Sequence, residues 1–269
     1  MRFVMHPDMV YQYPIWGVGL ALAGIAVLGA VLLELATRRL LPIQLRRQHN
    51  DVAAAIFSII GVTYAVLLAF VAMLAWEGFN KAKGASFAEA ATILDVYEVS
   101  RGLAEPERSA MRDDILGYTR FVVNVEWPEQ ADGHAVDRAS PDLSDMDRIA
   151  LEIRPTDATN GALRSMLLQS IMRLRDARQE RLLAAQTTIP GIVWFVMLLG
   201  GGLTIAFGSF LGAPSLCMHL AMSATLALSG ALVVILIVAL SNPFRGDFRV
   251  STAPFDQVLA QIVQAARPP

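Results

Sequence analysis

The sequence predicts an all-α, polytopic membrane protein with four transmembrane helices and a helical insert outside the membrane. Three observations carry that class. Four apolar stretches, residues 15–33, 52–75, 189–211 and 216–240, each approach or exceed the length a helix needs to cross about 30 Å of hydrocarbon. None of the four contains Lys, Arg, Asp or Glu. The polar block between the second and third shows no strand-like alternation. Soluble helices average about 11–12 residues and carry a polar stripe, and these four lack one. Composition agrees, with 55% hydrophobic and 17% charged residues.

Taken in order, residues 1–77 hold an N-terminal tail and the first two spans. Only Arg2 precedes the first apolar run, which is too long for a leader and has no A-x-A site after it, so a retained helix is expected. Tyr11, Tyr13 and Trp16 suit an interfacial aromatic belt. Along the second span Ala54, Ser58, Gly61, Ala65, Ala69 and Ala72 form a stripe of small residues. In lipid such stripes let helices approach closely. Beside it Ile60, Tyr64 and Leu68 stand at i, i+4 and i+8. Repeated around a symmetry axis, that bulky row would make a hydrophobic constriction.

The insert, residues 78–188, reads as helical throughout. Phe79, Ala82, Ser86, Ala90, Ile93 and Tyr97 share a face, so the second span is expected to run on beyond the membrane. Pro106 suits a helix first turn. Met111, Ile115, Tyr118, Val122 and Val125 make a narrow apolar seam. After a polar loop over Gln130–Ser140, Ser140-Pro141-Asp142 and Thr156-Asp157 each open a helix. In the last of these, Leu163, Leu167, Ile171, Leu174 and Leu182 line one face. Residues 189–241 hold spans three and four, the third opening at Pro190 and the fourth stopped by Asn242-Pro243. Residues 242–269 read as a short tail.

The chemistry is mostly defined by exclusion. A net charge of −2 argues against a nucleic-acid partner, and the single Cys217 permits no internal disulfide. His6, His49, His134 and His219 are scattered without ligand spacing, so no metal or cofactor is expected. Hydroxyls and His219 are the only polar groups in the spans, which leaves no catalytic residue to name and points away from an enzyme. Carriers place charges at the bilayer midplane, and these spans have none. Two readings stay open: a channel formed by self-association in the bilayer, passing small inorganic ions, or a non-conducting scaffold or sensor whose insert binds a protein partner. Pore-mouth candidates for the first are Asn50 and Asp51 at one end and Glu77 and Lys81 at the other.

Orientation is ambiguous by charge. Arg38, Arg39, Arg46 and Arg47 crowd one short loop and are expected on lipid headgroups. The opposite side has more Arg and Lys in total, so the short-loop and total-count versions of the positive-inside rule disagree.

The run Phe57-Ser58-Ile59-Ile60-Gly61-Val62, followed by Trp76-Glu77-Gly78, resembles the pore-lining second helix of bacterial bestrophins. Asn242-Pro243-Phe244-Arg245-Gly246 is similar to their Pro-Phe-Gly turn, with one inserted Arg. With Glu126-Trp127-Pro128, Arg181-Leu182, Ile189-Pro190 and Trp194, the pattern over Asn50–Phe255 resembles the bacterial bestrophin-like membrane family. That resemblance implies a homopentameric ion channel of the bacterial inner membrane, with five second helices around the pore and the insert and both termini cytoplasmic. It places the constriction at Ile60, Tyr64 and Leu68, with Ser58, Gly61, Ala65 and Ala69 packing the pore helices. Only Asp247 stands where animal bestrophins carry a calcium-binding acidic cluster, so calcium gating is not expected. Arg181 is expected to tie the insert to the membrane through Glu77 or Asp247.

Overall fold

The computed structural model describes residues 11, 13–134, 140–186 and 189–266. Arg2, His6 and the 187–188 junction before the third span lie outside them, as do residues 135–139 of the polar loop. Every regular element among the described residues is a helix. Four helical stretches are long and apolar enough to cross a membrane: Ile15–Leu40, Asn50–Ser100, the stretch ending at Gly208, and Leu216–Leu240. The chain forms two compact units.

The first unit comprises Met1–Gly78, Thr188–Asn242 and Gly246–Phe248. Helix α1 (Ile15–Leu40) continues seven residues past its expected end at residue 33, so Glu34 and Thr37 belong to it. It packs chiefly along α9 (Leu216–Leu240), and both touch α8 (Gly191–Gly208). A short α2 (Ile43–Gln48) leads into α3 (Asn50–Ser100), whose first 29 residues, 50–78, belong to this unit. Helix α8 brings glycines to α3. A Cβ on Gly201 would stand 2.6 Å from the Tyr64 Oη, and one on Gly200 3.0 Å from its ring. Phe57 likewise lies over Gly208. Close approach in lipid thus uses small residues of α8, with Tyr64 as the bulky partner. The chain ends of the unit are tied. Asp247 accepts from the Ile15 N–H at 2.9 Å, one of the donors that a helix start leaves free. Tyr11 donates to the Val238 carbonyl at 3.1 Å and lies 3.0 Å from the Ser241 Oγ, near the end of α9.

The second unit comprises Phe79–Thr187, Pro243–Arg245 and Arg249–Pro269. It contains residues 79–100 of α3, then α4 (Glu107–Phe121), a π-helical turn (Val122–Glu126), α5 (Trp127–Ala131), α6 (Pro141–Glu152) and α7 (Ala158–Gln186). Asp157 caps α7, accepting from the Asn160 N–H at 2.7 Å. Ile93, Met111, Ile115, Leu167, Ile171 and Leu174 are fully buried in one core. The expected tail is structured: α10 (Ala253–Ala265) packs on α4 and adds Phe255, Val258 and Ile262 to that core. The α4 seam holds through Val122, then breaks. A π turn carries an extra residue, which rotates the chain, so Val125 is partly exposed while Glu126 and Trp127 turn inward.

Candidate functional site

Tyr64, wedged over Gly200 and Gly201, fixes the rotation of α3 about its own axis in the first unit. Ile60 and Tyr64 are half-buried and Leu68 is 6% exposed, so this row turns toward the other helices of its own chain. Gly61, Ala65 and Ala69 line an apolar cavity of about 600 Å³ together with Leu22, Leu198 and Val234. Nothing lies within 4 Å of where a Gly61 Cβ would stand. Ser58 is exposed and returns its hydroxyl to the Ala54 carbonyl at 2.9 Å. A different bulky row is free: Val62 is 66% exposed, Val66 49% and Phe70 72%, at i, i+4 and i+8.

At the start of α3, the Asn50 side chain bonds the loop after α8. Its Nδ2 donates to the Gly212 carbonyl at 3.0 Å, and its Oδ1 accepts from the Gly212 N–H at 2.7 Å. Asp51, Glu77 and Lys81 are exposed.

Next to that clamp lies a buried ion cluster that span-by-span reading missed. Glu34 of α1 is fully buried, and the Arg46 Nη2 of α2 donates to its two oxygens at 3.1 and 3.3 Å. His219 of α9 brings its Nδ1 within 2.9 Å of the Glu34 Oε1. The same Nη2 lies 2.5 and 2.6 Å from the Ser209 and Leu211 carbonyls, so its two hydrogens are shared among these acceptors. Those carbonyls follow the end of α8, where backbone acceptors are left over and the helix dipole is negative. Arg38 adds bonds to Glu34 at 3.3 Å and the Ala213 carbonyl at 3.0 Å. Arg46 is therefore an internal pin, not a headgroup contact, because a buried guanidinium needs acceptors that only protein supplies here. The signal was present: Ala30, Glu34 and Thr37 continue one buried face.

The second unit holds a larger network. The Arg181 Nε donates to Glu89 at 2.5 Å and Nη1 to the Gln130 Oε1 at 3.1 Å, while Nη2 reaches Glu126. Arg178 donates to the Glu126 Oε1 at 3.0 Å through Nε, and the Tyr118 hydroxyl donates to Glu89 at 2.7 Å. The Arg181 guanidinium stands 5.5 Å over the Trp127 ring, which meets Phe244 and Phe255 edge-on at 5.1 and 5.4 Å. Burial works against the Arg181 charge, but Glu89 and Glu126 outweigh it and hold the guanidinium above its ordinary value. Burial first, then Glu89, pushes the Tyr118 phenol well up, so it remains a donor. The expected partners of Arg181 are thus replaced: Glu89 and Glu126 hold it, and Asp247 instead sits at the start of α1. Three separated sequence signatures, Glu126-Trp127, Arg181-Leu182 and Pro243-Phe244, converge here. Glu89 was also legible, since it falls seven residues from Ala82 and from Val96 on the same face.

A family model described as Bestrophin-like domain matches residues 20–255. Solved structures of variants of a bacterial bestrophin homologue from Klebsiella pneumoniae have the same fold. One has a TM-score of 0.68 at 12% identity, covering 91% of this chain and 97% of that one. Two others have a TM-score of 0.67, at 14% and 13% identity, and cover 91% of this chain and 97% and 99% of theirs. No curated protein matches.

Proposed function

This chain belongs to the bestrophin-like family, and on that premise we propose that it is a homopentameric ion channel of the bacterial cytoplasmic membrane. Five copies of α3 surround the pore, and the insert forms a cytoplasmic vestibule on the side of both termini. The observation that carries this reading is the exposed apolar row on α3. A helix whose opposite face is wedged onto α8 through Tyr64 presents Val62, Val66 and Phe70 at one-turn spacing. Such a ring of apolar groups gates by dewetting. Of the two rows on α3, burial of Leu68 favours Val62, Val66 and Phe70 over Ile60, Tyr64 and Leu68 as the constriction. Exposed Asp51, Glu77 and Lys81 are the charged groups available at the mouths, and small inorganic ions are the permeating species.

The test is current across planar bilayers containing the purified protein, run beside two variants, Val66→Ala with Phe70→Ala and Ile60→Ala with Leu68→Ala. Discrete currents that grow in the first variant and not in the second support the exposed row. Growth only in the second returns the constriction to Ile60 and Leu68. Silence from all three moves the function to a non-conducting scaffold.

A further inference from the structure

The four arginines of the α1–α2 corner divide into two kinds. Arg38 and Arg46 turn inward onto Glu34 and the carbonyls of Ser209, Leu211 and Ala213. Arg39 and Arg47 turn outward, are exposed, and have no ion-pair partner among the described residues. Between positions 34 and 51 four arginines face two carboxylates, Glu34 and Asp51, and Glu34 is already engaged. The outward pair is interleaved with exposed leucines: Leu40 is 79% exposed and Leu45 47%. This mixed surface closes a span of 26 residues, so it stands where hydrocarbon gives way to headgroups.

We propose that the α1–α2 corner is a binding site for an anionic phospholipid, with Arg39 and Arg47 on the phosphate and Leu40 and Leu45 in the adjoining acyl layer. The guanidinium fork matches phosphate geometry with paired N–H donors, and the flanking leucines select a phosphate that arrives attached to a bilayer. Water-soluble anions offer nothing to the leucines. The site is also rigidly mounted. Arg46, between the two lipid-facing arginines in sequence, pins α2 to the loop after α8, and Asn50 clamps Gly212 two residues beyond α2. Occupancy is therefore felt at the first residue of α3 and stabilises the unit. This inference does not depend on ion conduction.

The test uses the full-length protein in neutral detergent, with phosphatidylglycerol or phosphatidylcholine added and retained lipid counted by native mass spectrometry. Two arginines at a membrane surface correspond to roughly a thirtyfold preference for the anionic lipid. We expect that preference in the wild type, with a raised melting temperature in phosphatidylglycerol. The Arg39→Gln and Arg47→Gln double variant should lose both while melting as the wild type does in phosphatidylcholine, which shows that it folds. Equal retention of the two lipids by the wild type, or an undiminished preference in the double variant, overturns the proposal. So does an equal melting shift with inorganic phosphate, which would mark a soluble-anion site.

Discussion

The two units each bury an arginine against a glutamate, yet they neutralise it differently. In the second unit charge answers charge: Arg178 and Arg181 meet Glu89 and Glu126, and Tyr118 and Gln130 fill remaining hydrogen-bonding positions. In the first unit a single Glu34 serves Arg38, Arg46 and His219, and the deficit falls on backbone carbonyls beyond the end of α8. The first arrangement is a balanced cross-brace, whose parts are useless alone. The second is graded, because two arginines and His219 share one carboxylate and the backbone acceptors persist whatever the side chains do. Burying an ion costs several kcal/mol unless partners are well placed, so the two designs should fail differently.

The sharpest way to break the contrast is Arg181→Leu. Glu89 then loses its arginine and keeps only the Tyr118 hydroxyl, while Glu126 is left to Arg178, and breaking such a buried pair costs about 3–5 kcal/mol. The expected outcome is loss of folded insert, read as loss of cooperative melting and protease resistance over residues 79–187. Arg46→Gln should cost less, about 1–3 kcal/mol, because Arg38 and His219 still face Glu34. If calorimetry of the detergent-solubilised protein finds Arg46→Gln the more damaging, the distinction between braced and graded clusters is wrong. Tyr118→Phe removes one donor from Glu89 and leaves both arginines, so a loss of about 1–2 kcal/mol is expected in denaturant titration.

The smallest effect concerns pH. Burial first, then the charges of Asp145 and Asp142, push Asp114 on α4 up to about 6. A carboxyl whose folded value is raised contributes stability that is complete below about 4, its ordinary range, and is lost as pH rises through about 6. Asp114→Asn should therefore match the wild type near pH 4 and melt higher above pH 6. Asp114 is only partly buried, so screening limits the gain to about 1–2 °C. A gain of equal size at both pH values would assign the effect to something other than titration.

The helical class and the four spans were legible because apolar length is a coarse signal that later packing does not override. Helix α9 matches the expected 216–240, and α3 runs to Ser100 as the shared face from Phe79 to Tyr97 requires. The finer content was hidden for three physical reasons. Hydropathy ends a span at its first charge, so Glu34 looked like a boundary when it was the buried centre of a cluster. Seams are read through apolar residues, so Arg181 was assigned to a membrane-side carboxylate rather than to the buried face, although it sits seven residues from Leu174. A π turn has no compositional mark, so the register change that carries Glu126 inward could not be seen. The bulky row on α3 was ambiguous for a fourth reason. Every apolar helix offers several such rows, and composition does not show that Tyr64 meets two glycines of α8.

The hydrogen bond from Ile15 to Asp247 joins residues 232 positions apart. At about 5–20 residues per second, a ribosome takes roughly 10–50 s to travel between them. The first helix enters the bilayer long before the carboxylate that closes its start exists, and before α9, its main packing partner, has been made. During that interval its leading N–H groups depend on water and headgroups for acceptors. Nascent chains halted before residue 247 should therefore carry an α1 whose beginning is still open to solvent, and synthesis through Asp247 is what shuts it.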